Sequence, residues 1–111
     1  MKRSTGPPPN VAREIVYRRR ALSERIALLT GIALESPQGA RAGGAAMVRS
    51  IDRVSVFPES APLFDIDRPT LRILTIRRIA AVLYTFDSHR LIVLRVLYAR
   101  QDLDAVRDSL S

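Results

Sequence analysis

Between residues 71 and 99 lie three apolar runs, LRILTI (71–76), AAVLYTF (80–86) and LIVLRVLYA (91–99), separated only by residues 77–79 and 87–90. Runs of this length, rich in branched and aromatic side chains and bounded by turn residues, read as strands. Gaps this short reverse the chain, so the three strands form an antiparallel meander. The last run is the most apolar and reads as the central strand. It also carries a cation, Arg95, at its middle, and it breaks into the polar cluster Tyr98-Ala99-Arg100-Gln101-Asp102.

The chain before the meander has a different period. Residues 1–12 contain Gly6 and the run Pro7-Pro8-Pro9 and read as a flexible leader. Residues 14–19 form a short strand with Ile15 and Tyr17 on one face. From Ala21 to about Glu35, Leu22, Ile26, Leu29 and Ala33 recur at steps of three and four, the stripe of an amphipathic helix. Ser36-Pro37 starts a second helix, with serine as N-cap and proline in the first turn. Its buried stripe is Ala40, Met47, Ile51 and Val54, while Arg49 and Arg53 share an exposed face. Gly43-Gly44 lies inside it, at about 1 kcal/mol per glycine relative to alanine. Pro58 closes it, residues 59–69 form a loop, and residues 101–110 form a polar tail with Leu103, Val106 and Leu110 on one side. The expected fold is α+β in the order β-α-α-β-β-β. One domain spans 13–111, with two N-terminal helices covering one face of a small antiparallel sheet. The other face is open or covered by something else.

Composition removes several chemistries. A chain of 111 residues holds one core. It has no cysteine and one histidine, His89, which excludes disulfides, thiolate catalysis and Cys- or His-pair metal sites. Gly43-Gly44 lacks the spacing of a phosphate loop, and His89 reads as a turn residue without triad partners. Glu59, Asp65 and Asp67 are acids of a loop without further ligands. No metal and no cofactor are expected. The opening MKRSTGPPPN passes into prolines rather than an apolar stretch, so no signal peptide is expected. No apolar segment reaches the roughly 20 residues of a membrane helix. The reading is a cytoplasmic protein without membrane contact.

The net charge is +7, carried by arginine apart from Lys2. It favours an anionic partner, nucleic acid or an acidic protein, and leaves direct nucleic-acid binding open. With Ile92, Leu94 and Val96 turned to the helices, Arg95 shares the far face with Leu91, Val93 and Leu97. There it either anchors a partner's carboxylate or pairs with an acid of its own chain across the sheet. Tyr98 with Arg100 could stack on a base and hold a phosphate. The alternative is an Arg100–Asp102 surface pair beside a packed tyrosine. Arg18-Arg19-Arg20 and Arg77-Arg78 are basic spots at strand ends.

The element order, with REIVYRRRALSE (13–24), ESPQGA (35–40), IDRVSVFPES (51–60), LRIL (71–74) and above all VLRVLYARQDL (93–103), resembles the RelE/ParE superfamily of bacterial toxins. The likeness is to the ParE-like branch in particular. It implies the toxin of a type II toxin–antitoxin system that inhibits DNA gyrase by binding. A ParD-like antitoxin with an acidic C-terminal segment would neutralise it. The alternative the superfamily offers is a RelE-like, ribosome-dependent mRNA endoribonuclease. Carried onto this chain, the RelE basic positions fall on Arg72, Leu74 and Ala81, its late arginine on Asp102 and its tyrosine on Val106. With one basic residue retained, no catalytic residue is expected. A nuclease would have to use Arg72, Arg77, Arg78, Tyr98 and Arg100. Candidates for contact with antitoxin or target are Arg72, Arg95, Tyr98, Arg100 and Asp102. The leader, Gly43-Gly44 and Ile79-Ala80-Ala81 depart from the ParE pattern; Gly43-Gly44 would loosen the second helix, and these departures leave open whether the toxin is active.

Overall fold

In the computed structural model, residues 11–98, 106 and 108 are described. The elements run β1 (Glu14–Tyr17), α1 (Arg19–Glu35), α2 (Pro37–Val56), a 3-10 turn (Pro58–Ser60), β2 (Arg72–Ile76), β3 (Ala80–Phe86) and β4 (Arg90–Tyr98). The order is the expected β-α-α-β-β-β, with strands arranged β1-β4-β3-β2. The sheet is mixed rather than wholly antiparallel. β2, β3 and β4 form the meander, but β1 lies parallel to β4, with Glu14 opposite Arg90 and Tyr17 opposite Val93. The two intervening helices supply the crossover that a parallel pair requires.

Ser36 alone joins the helices. Its N–H closes the last turn of α1 on the Ile32 carbonyl at 2.8 Å, and its Oγ accepts from the Gly39 N–H at 2.9 Å to cap α2. Pro37, which has no N–H to satisfy, follows as the first residue of α2. Phe57 closes α2 by donating to the Arg53 carbonyl, and Pro58 prevents continuation.

The stripe expected on α1 is not the one that faces the sheet. Ala21, Leu28 and Ile32 turn inward, whereas Leu22 and Ile26 are 46% and 58% exposed. The inward face also carries Glu24 and Arg25, polar residues with partners inside the fold. A count of apolar residues alone misplaces the face by one position. α2 follows its expected stripe, with Met47, Ile51 and Val54 buried. Of its paired glycines, Gly43 is a site of close approach and Gly44 is not. A Cβ on Gly43 would stand 2.9 Å from Ile79 Cδ1, and one on Gly44 would meet Leu29 at 3.8 Å.

The facing of β4 also differs from expectation. Leu83 pairs with Arg95 but Tyr84 pairs with Val93, so Leu94 is an extra, unpaired residue. This bulge shifts the alternation between the two halves of the strand. Leu91 and Val93 therefore join Val96 on the helix side, with Val82, Tyr84, Met47 and Ile51. Leu94 and Leu97 lie on the far face, which is covered. Phe64, Leu71, Ala81, Leu83, Leu97 and Val106 make a second apolar cluster there. At about 2 kcal/mol per fully buried large side chain, both faces contribute to stability. No helix among the described residues is long and apolar enough to cross a membrane.

Candidate functional site

The end of β4 is where most of the candidate residues were expected to meet. β1 stops at Tyr17, opposite Val93, so the lane beside the second half of β4 holds no strand. Glu24 of α1 fills it. One carboxylate oxygen accepts from the Val96 N–H at 3.0 Å, and Arg95 Nε and Nη2 donate to the same carboxylate at 3.0 and 2.7 Å. Arg95 is 4% exposed. A buried guanidinium held by two parallel bonds to a carboxylate is a strong, geometrically specific contact. Of the two readings of Arg95, the geometry is that of a pair with an acid of its own chain. The acid comes from α1 and not from a neighbouring strand.

Arg72 is also engaged within the chain. Its Nε donates to the Pro69 carbonyl at 3.0 Å and its Nη1 to the Ala61 and Glu59 carbonyls at 3.1 and 3.4 Å, which ties the loop before β2 to the 3-10 turn after α2. Register separates it from the end of β4. Arg72 lies opposite Tyr84, whereas Tyr98 lies opposite Ala80, four residues further along β3 at roughly 3.3 Å each. Arg77 and Arg78 occupy the β2–β3 turn beside Ala80, so the structure brings these two and Tyr98 to one end of the sheet. All three are exposed, and Arg77 holds φ 50°, a left-handed conformation unfavourable for a side-chain-bearing residue. Arg100 and Asp102 lie outside the described residues.

Other candidates have local work. His89 and Arg90 donate their backbone N–H groups to the Asp87 carboxylate at 2.7 Å, and these bonds hold its pKa below the ordinary carboxylate range. Asp65 accepts from the Asp67 N–H and lies 3.7 Å from Arg68. Among the described residues, no group of three or more His, Cys, Asp or Glu side chains could hold a metal ion.

Three residues escaped the sequence reading. Glu24 lies off the apolar stripe expected of α1. Arg13 bridges the Asp87 and Ser55 carbonyls and lies over the Phe86 ring at 5.7 Å. Arg25 donates to the Tyr17 hydroxyl at 2.9 Å, and burial raises the pKa of that phenol. Only the spacing of Tyr17 and Arg25, on consecutive elements, could have suggested such a pair. A groove of about 360 Å³ also runs between α2 and β2, lined by Ser50, Arg53, Ser60, Pro62, Leu74 and Thr75.

No family model matches the chain, and no curated protein matches it significantly. Among solved structures, a chain of the chromosomal ParDE TA system from P. aeruginosa superposes with a TM-score of 0.64 at 17% identity. The match covers 78% of this chain and 96% of that one. At that identity the likeness is one of fold. The α+β arrangement of two helices on a four-stranded sheet is that of the ParDE chain.

Proposed function

We propose that the chain is the toxin of a type II toxin–antitoxin pair, ParE-like, which inhibits DNA gyrase by binding and is silenced by the acidic C-terminal segment of a ParD-like antitoxin. The observation that carries this reading is the superposition on nearly the whole length of a ParDE chain. The site geometry supports binding over cleavage. Phosphodiester cleavage needs an acid, a base and cations converging on one phosphate. Here Arg72 is held by three carbonyls and Arg95 by Glu24, at separate places on the sheet. Induction of the chain without its antitoxin should produce filamentous cells with DNA-damage signalling, and purified chain should block supercoiling by gyrase. Normal growth with uninhibited gyrase would overturn the reading.

One observation favours the second reading, a ribosome-dependent endoribonuclease: Arg77, Arg78 and Tyr98 share one end of the sheet. On that reading translation stops within minutes of induction. Messenger RNA is cut at codons in the ribosomal A site, and the Arg77→Ala/Arg78→Ala variant loses the cuts. Intact messenger RNA after induction removes it.

A further inference from the structure

Among the described residues, β2 is an edge strand with only half of its edge covered. The chain runs beside the first half. Leu63 bridges antiparallel to Arg72, and the Ile73 N–H donates to the Pro62 carbonyl at 3.0 Å. That bond fixes which way each backbone group points. Ile73 turns its N–H and carbonyl away from β3, so Thr75, two residues on, does the same. Among the described residues, no backbone bond reaches Thr75 from outside the β2–β3 pair. The chain that would have continued along this lane leaves it at Ala61, folded into the Pro58–Ser60 turn and held there by Arg72. An uncovered strand edge of this kind is a template for another strand.

The groove described above follows this vacated lane. Leu74 and Thr75 point to opposite faces of the sheet, yet both line it, so the space lies along the strand edge rather than over one face. Its other wall is α2, which contributes Ser50, Val54 and Arg53. Arg53 is the one charged residue of the lining. It is exposed, and among the described residues no acid lies within ion-pair distance of it. Backbone donors and acceptors with a cation alongside match an extended peptide that carries carboxylates.

We propose that the free edge of β2 around Thr75, with Arg53, receives an extended acidic segment of the neutralising partner as an added strand. The inference rests on the toxin–antitoxin reading in naming that partner. The backbone of Thr75 provides the ladder bonds and Arg53 a charged anchor, while Ser50 and Ser60 flank the groove.

The test uses the full chain and a fluorescein-labelled decapeptide of alternating valine and glutamate, with the valine–lysine decapeptide as comparison. Fluorescence anisotropy should show saturable binding of the acidic peptide alone, and hydrogen exchange at the Thr75 amide should slow on binding. Arg53→Glu should weaken binding at least tenfold. Thr75→Pro, which removes an N–H pointing away from the sheet and so spares the fold, should abolish it. Binding that survives both substitutions, or no protection of Thr75, overturns the proposal. So does a dimer of the free chain that Thr75→Pro dissociates, since a second copy would then hold the edge. Growth arrest on induction without Thr75 protection removes the edge site and leaves the toxin reading standing. Protection of Thr75 in a chain that neither arrests growth nor inhibits gyrase does the reverse.

Discussion

Glu24 shows how one side chain can replace a strand. Beyond Tyr17 the β4 lane needs an acceptor for the Val96 N–H and a counter-charge for a guanidinium that is 4% exposed. One carboxylate supplies both. Removing it leaves a buried cation without compensation, a change that costs about 3 kcal/mol or more. Glu24→Ala should therefore lower the urea midpoint by that equivalent, and Glu24→Leu with Arg95→Met should recover the part due to the unpaired cation but not the cost of the Val96 N–H left without an acceptor. A second prediction concerns Tyr84, fully buried, whose hydroxyl donates to the Pro58 carbonyl at 2.5 Å. Burial pushes its pKa up to about 12 from an ordinary 10.0. Its folded pKa is the higher of the two, so the unfolded chain loses the proton first as pH rises. The contribution is intact below about pH 10 and falls as pH climbs from there toward 12. Unfolding free energy measured at pH 9 and pH 11 should drop less for Tyr84→Phe than for the parent chain. Neither residue announced its role. A glutamate off an apolar stripe and a tyrosine within an apolar run have the same local pattern whether or not they are buried with a partner.

At the scale of elements, helices and strands were legible where local chemistry decides and obscure where pairing decides. Ser36-Pro37 marks the break between α1 and α2, and Pro58 the end of α2, because capping and the missing proline N–H act within a few residues. Strand boundaries in the meander follow from the turns at residues 77–79 and 87–89. The inward face of α1 was not legible, because Glu24 and Arg25 occupy it. The phase of β4 was not either, because the bulge at Leu94 depends on the partner strand. The glycines of α2 give a sharp test. Gly44→Ala meets Leu29 at ordinary van der Waals distance and gains helix propensity, so it should stabilise the chain by about 1 kcal/mol. Gly43→Ala gains the same propensity but presses on Ile79 Cδ1 at 2.9 Å, and should gain less than Gly44→Ala. Thermal unfolding of the two variants side by side separates propensity from packing.

For the molecule as a whole, the β-α-α-β-β-β order was readable from periodicity, and the layer of helices over a sheet follows from it. The parallel seat of β1 was not, since a four-residue strand carries no mark of its partner. Nor was the covered far face, where Phe64 from a loop and Val106 from the C-terminal region meet Leu71, Leu83 and Leu97. In refolding, the local contacts of the α1–α2 hairpin should form ahead of the β1–β4 seam. Pulsed hydrogen exchange should find amides of α2 protected earlier than the Glu14 and Arg18 amides, which bond to His89 and Val93. Simultaneous protection would count against this order. That seam also sets a clock on synthesis. The strand made first stays without its neighbour until residue 93 has left the ribosome, roughly 4–15 s later at ordinary translation rates. Until then a nascent chain carries no finished sheet, and nothing that depends on the β1–β4 seam can begin.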